Sequence, residues 1–136
     1  MITQTFLESL SYKTIKCIYE VHNQLGPGLL EAVYMACLVE ELRSAGLTVL
    51  VEPHLPILYK NKDLGGLMKP DLVVESQLIL ELKAVEVMIP VFNAQLLTYL
   101  KLSGINKGLL VNFNCENMQS GITSLVTPSF FKLPKL

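Results

Sequence analysis

The sequence predicts one α/β domain, a mixed β-sheet flanked by helices, in the element order α-α-β-β-β-α-β. Two helical stretches at the start, short strand-like segments with turn signals in the middle, and a helix followed by a buried-looking strand carry that reading. The composition agrees with it. Of 136 residues, 51% are hydrophobic and 17% charged, against about 25% charged in an ordinary soluble domain. That apolar content offsets the ordering entropy of one core and excludes a disordered segment. The formal net charge of −1, from 11 Lys and Arg against 12 Asp and Glu, excludes a strongly cationic coat but not a local basic groove. So low a charged fraction also leaves apolar surface for a partner subunit, and a homodimer is expected.

Taken in order, residues 1–25 read as a helix, with Phe6, Leu10, Ile15, Ile18, Val21 and Leu25 at helical spacing and Lys13, Lys16 and Glu20 among the polar positions. Gly26-Pro27-Gly28 breaks it. This is a tight helix-to-helix turn rather than a phosphate loop, because no Gly-Lys-Ser/Thr follows. A second helix runs from about 29 to 45, with Leu30, Val33, Cys37 and Leu38 apolar and Gly46 as its stop. Segments 47–51 and 55–60 read as strands interrupted by Pro53 and Pro56, which suits an edge strand or a bulge. Asn61-Lys62-Asp63 and Gly65-Gly66 are turn signals. Segments 71–74 and 78–83 form two strands joined across Glu75-Ser76-Gln77. Pro90 opens a third helix over 91–102, ended by Ser103-Gly104. Residues 107–113 make a buried strand, followed by a polar loop and a tail, with Pro128 and Pro134, that has no period. Residues 1–136 are therefore one domain, with a core of about 5–126 and a tail of 127–136.

Cys17, Cys37 and Cys115 are too scattered for a disulfide framework and read as small hydrophobes in a reducing compartment. Two histidines leave a His/Cys zinc site almost nothing to use. No apolar run reaches the roughly 18 residues of a membrane span, and Glu8, Lys13 and Lys16 interrupt what would be a signal peptide's apolar stretch. A cytoplasmic protein without membrane contact is expected.

The central hairpin gathers the chemistry. If it is centred on Ser76, paired residue numbers sum to 152 and Asp71 faces Glu81 on one side of the sheet. Lys83 shares that side by period two, while Leu80 and Leu82 share the other. Opposed like charges destabilise a sheet unless neutralised. A divalent cation held by oxygens would do so, and a surface ion pair with Lys83 bridging the two acids would do so equally. A one-residue slip would separate the acids.

Pro70-Asp71, a ten-residue step and Glu81-Leu82-Lys83 resemble the PD-(D/E)xK motif of the restriction-endonuclease-like nuclease superfamily. Gly28-Leu29-Leu30-Glu31-Ala32-Val33-Tyr34 resembles the signature of its GxxExxY family. Gln95 and Tyr99 resemble the Gln-x-x-x-Tyr helix of recombination-type and exonuclease-like members, and Gly108–Phe113 resembles the family's following strand. The likeness covers roughly residues 5–126. It departs from the pattern at Gly121-Ile122-Thr123-Ser124, where the family often carries a Lys-Arg pair.

The resemblance implies a restriction-endonuclease-like mixed sheet flanked by helices and a Mg2+- or Mn2+-dependent nuclease acting on nucleic acid, DNA ahead of RNA. Asp71 and Glu81 would be its main metal ligands, helped by the Leu82 carbonyl, with Glu31 a further ligand directly or through water. Lys83 would position or deprotonate water, or stabilise charge on the phosphate. Gln95 and Tyr99, four apart on one helical face, would bond Lys83, metal-bound water or phosphate.

The residues alone leave other readings open. Glu31 complements a helix dipole, Tyr99 belongs to a polar helix face, and Tyr34 is a core tyrosine as readily as a supporting one. His22, one turn before Gly26, fits a helix C-terminal interaction better than catalytic support. His54 reads as a loop residue. Besides a nuclease, two functions remain: a non-catalytic nucleic-acid- or protein-binding module that retains the fold, and a metal-dependent hydrolase of something smaller.

Overall fold

The computed structural model describes residues 1–136. Helix α1 (Gln4–Leu25) starts behind Thr3, whose hydroxyl accepts from the Phe6 amide, and stops at Gly26, whose φ of 68° suits glycine. Helix α2 (Glu31–Ser44) doubles back against it. Tyr34 ties the turn between them. Its hydroxyl donates to the Gly26 carbonyl at 2.6 Å and accepts from the Leu29 amide at 3.1 Å, and its fully buried ring stacks on Phe113 with centroids 4.5 Å apart.

The remaining elements are β1 (Val49–Val51), β2 (Leu58–Tyr59), β3 (Lys62–Asp63), β4 (Leu72–Val74), β5 (Leu78–Lys83), α3 (Pro90–Ser103), β6 (Lys107–Asn112) and β7 (Ile122–Val126). Five strands form one sheet in the order β1-β4-β5-β6-β7, with β5 and β6 parallel and the other neighbours antiparallel. The parallel pair is the one joined through α3, since a parallel connection needs a crossover. This mixed α/β architecture is the expected fold class, consistent with a restriction-endonuclease-like domain. No helix is long and apolar enough to cross a membrane.

The hairpin register is the expected one: Leu72 pairs with Leu80, Val73 with Ile79 and Val74 with Leu78. Glu75, Ser76 and Gln77 make its three-residue loop, with φ of 52° at Glu75 and 57° at Ser76 and the Gln77 amide donating to the Val74 carbonyl at 3.0 Å. Glu75 also accepts from the Thr48 amide at 2.6 Å, so its side chain anchors the turn to the start of β1.

Two expectations need correction. The strand expected over 55–60 shrinks to Leu58–Tyr59, which pairs with β3 in a separate ribbon, while Leu55 makes only an isolated bridge to Met68. Pro53 and Pro56 have no amide to give a ladder, which breaks the segment. β7 stands where a polar loop was expected: Thr123 and Ser124 mask an edge strand that pairs with β6. The tail, which has no sequence period, is nonetheless tied down. Residues Pro128–Lys132 form a 3-10 turn, and the Pro134 and Lys135 carbonyls accept from the Gln4 and Thr5 amides, unpaired donors of α1's first turn.

The two sheet faces differ. Leu72, Val74, Leu78, Leu80, Leu82, Leu109 and Val111 pack against α1 and α2 in a core of 18 buried residues, whereas Val73, Ile79 and Leu110 meet Leu96 and Leu100 of α3 in a core of only five. By strand alternation Asp71, Glu81, Lys83 and Asn112 belong to the smaller, α3 face.

Candidate active site

Asp71 lies immediately before β4 and is half-buried. Its Oδ2 accepts from the Leu82 amide at 2.7 Å, a bond across the hairpin that the register makes available. Glu81 on β5 is only 5% exposed, and its Oε1 is buried without a hydrogen-bond partner. Burial first, then the charge of Asp71 and a hydrogen bond to its side chain, push the Glu81 carboxyl up to about 8 from 4.5, against a weaker opposing pull from Lys83. Near neutral pH, in the absence of a cation, the Glu81 carboxyl therefore tends to hold its proton.

Lys83 does not bridge the two acids. The ion pairs in the structure are Lys69 with Glu52 and Lys107 with Glu8, and the Lys83 ammonium instead stands 4.4 Å from the centre of the Phe92 ring on α3. The ion-paired surface reading fails on this geometry. Tyr99, one face of α3 further on, is half-buried. Burial and then the nearby Glu81 charge raise its phenol, and Gln95 Nε2 donates to its hydroxyl at 3.4 Å. Asp71, Glu81, Lys83, Gln95 and Tyr99 are thus gathered on one side of the sheet.

Glu31 is not gathered with them. It is exposed in the first turn of α2, and no three His, Cys, Asp or Glu side chains come close enough together to hold a metal ion. It does stand at the same end of the sheet: Tyr34, one turn on, stacks on Phe113, whose amide donates to the Lys83 carbonyl at 2.9 Å. His22 points elsewhere. Its Nε2 sits 2.7 Å from the Cys115 carbonyl, tying the end of α1 to the loop after β6. His54 is exposed, with Nδ1 3.2 Å from the Gly66 carbonyl.

Two residues matter here that spacing alone did not select. Phe92 carries the lysine, and its only sequence signal is its place one turn before Gln95. Asn112, paired with Lys83, accepts from the Val85 amide at 3.1 Å and donates to the Val85 carbonyl at 2.9 Å, clamping the chain that leaves the active strand.

A divalent cation suits this donor set. Asp71 and Glu81 offer carboxylate oxygens only, the chemistry of hard metals. A buried Glu81 oxygen with no partner is a group whose desolvation nothing else offsets. The family model described as the PD-(D/E)XK nuclease superfamily matches residues 8–125, which include every one of these residues. No curated protein and no solved structure matches the chain significantly. With most of its length covered, the chain belongs to the PD-(D/E)XK nuclease superfamily.

Proposed function

We propose that the protein is a Mg2+- or Mn2+-dependent nuclease hydrolysing phosphodiester bonds, DNA ahead of RNA. The observation that carries the proposal is the buried, unpartnered Glu81 oxygen beside Asp71, on the face that also presents Lys83. Within the superfamily, Gly28, Glu31 and Tyr34 support membership of the GxxExxY group.

In this reading Asp71, Glu81 and the Leu82 carbonyl hold the metal, which when bound polarises the phosphoryl oxygen and acidifies water. Glu31, set apart on α2, acts through water. Phe92 holds the Lys83 ammonium away from an ion pair with the acids, free to meet charge developing on the phosphate or to orient the attacking water. Tyr99 and Gln95 supply hydrogen bonds beside it. Tyr34 and His22 act on this site only by fixing the α1–α2 turn and the loop after β6.

A second reading, a non-catalytic binding module with the nuclease fold, draws on one observation: Ile122, Thr123 and Ser124 of β7 bring no cation to the site, and the net charge is −1. Incubating the purified protein with single- and double-stranded DNA and RNA, with and without Mg2+ or Mn2+, separates the two. Cleavage that needs the metal supports the nuclease; binding without cleavage under every condition supports the module.

We also propose a cytoplasmic homodimer, supported by three free cysteines and by exposed Leu50 and Val51 on the free edge of β1. Light scattering at micromolar concentration should give twice the chain mass; the mass of one chain would remove the dimer.

A further inference from the structure

A cleft of about 550 Å³ opens on the α3 face beside the C-terminal ends of β5 and β6. Its size is that of a small-molecule site, roughly 300–1,000 Å³. Two of its walls join it to Lys83. Asn112 is the register partner of Lys83, and Asn93 follows Phe92, whose ring lies under the Lys83 ammonium. The side chains free to meet a ligand there are Glu86, Asn93, Asn114 and Thr123, with Ile89 and Pro90 as the apolar side, while the Ser120 hydroxyl donates to the Asn117 carbonyl at 2.7 Å. Asn112 is not among them, because its amide is engaged with Val85 and Asn114.

We propose that this cleft receives an unpaired nucleobase of the substrate strand, next to the phosphate that Lys83 meets. The proposal rests on the nuclease reading for its class of substrate. The lining itself argues for a base rather than a second phosphate. Phosphate sites are built from Arg, Lys or converging cations; this lining has none, and the Glu86 carboxylate would repel an anion. A nucleobase is flat and uncharged, apolar on its faces and lined at its edge with donors and acceptors. Asparagine amides match such an edge, a carboxylate accepts from an amino group, and hydroxyls serve either partner. Ile89 and Pro90 offer the apolar contact for a ring face. A base reaches such a cleft only after leaving its stack, so single strands and frayed ends are preferred over intact duplex.

The test uses the full chain in EDTA, so that it does not depend on catalysis. Labelled protein is titrated by NMR with cytidine, guanosine, adenosine and uridine, and separately with inorganic phosphate and ribose 5-phosphate. The nucleosides should shift the resonances of Asn93, Asn114 and Thr123, and the two phosphates should not. Asn93→Ala with Thr123→Val should weaken nucleoside binding at least tenfold without lowering the melting temperature, and Glu86→Gln should reduce any preference for cytidine over uridine several-fold. Shifts from the phosphates alone, or from no ligand, overturn the proposal. In a parallel cleavage assay, one abasic residue beside the cut site should slow cleavage at least tenfold. Equal cutting of intact and abasic strands removes the cleft and leaves the nuclease. Nucleoside binding at the cleft with no cleavage of any strand keeps the cleft and removes the nuclease.

Discussion

The two faces of the sheet are built for different tasks. Against α1 and α2 the sheet buries a continuous Leu- and Val-rich surface, closed at one end by the Tyr34–Phe113 stack. Against α3 the buried apolar cluster has only five residues against 18, and the same side of the sheet carries Asp71, Glu81, Lys83 and Asn112. A buried carboxyl pair costs stability, so it is tolerated where another layer already fixes the strands. The large core holds the geometry, and the small one leaves room for chemistry.

The comparison breaks first under core truncation. Leu80→Ala, in the larger core, should cost about 4 kcal/mol, and Leu96→Ala on α3 about 2 kcal/mol, because half-buried Met88, Phe92 and Leu125 can settle into the space. Urea unfolding of both variants reads the difference, and equal losses would remove the asymmetry.

Next comes pH. With its folded value raised from 4.5 to about 8, Glu81 contributes fully at acidic pH, and that contribution is lost as pH rises through the window between the two values. The metal-free protein should therefore lose on the order of a few kcal/mol relative to Glu81→Gln across that window. Mn2+ should restore wild-type stability at the alkaline end and leave Glu81→Gln little changed. Melting curves parallel in pH for both proteins would contradict the raised Glu81 carboxyl.

The smallest effect sharpens the register on which the α3 face depends. Ser76 sits in the left-handed region at φ 57°, where a side chain is strained, so Ser76→Gly should raise stability by about 1 kcal/mol without changing the pairing. A destabilised variant would mean that the turn does not set the register.

How far the sequence showed all this follows from what spacing encodes. Alternation in 71–83 placed Asp71, Glu81 and Lys83 on one side, and the hairpin register centred on Ser76 agrees residue for residue. Period and register are local, and both survive folding. Distances between layers are not local. The separation of Glu31 from the acid pair, and the placement of Lys83 over Phe92 rather than between two carboxylates, depend on how α2 and α3 dock, which no spacing within one element records. β7 was hidden for another reason: at the sheet edge a strand needs no strong apolar alternation, and Thr123 and Ser124 read as loop. The nucleobase cleft was likewise illegible, since its walls come from the loops after β5 and β6, the start of α3 and β7.

The central claim is that Asp71, Glu81 and Lys83 form one metal-dependent hydrolytic site, with separate duties for the acids and the lysine. Calorimetric Mn2+ titration of wild type, Lys83→Ala and Asp71→Ala, with cleavage assayed on the same samples, tests it most directly. Lys83→Ala should bind Mn2+ as tightly as wild type or slightly more tightly, since one positive charge has left, and cut nothing. Asp71→Ala should lose both binding and cleavage. Undiminished cleavage by Lys83→Ala, or undiminished metal binding by Asp71→Ala, would contradict the account.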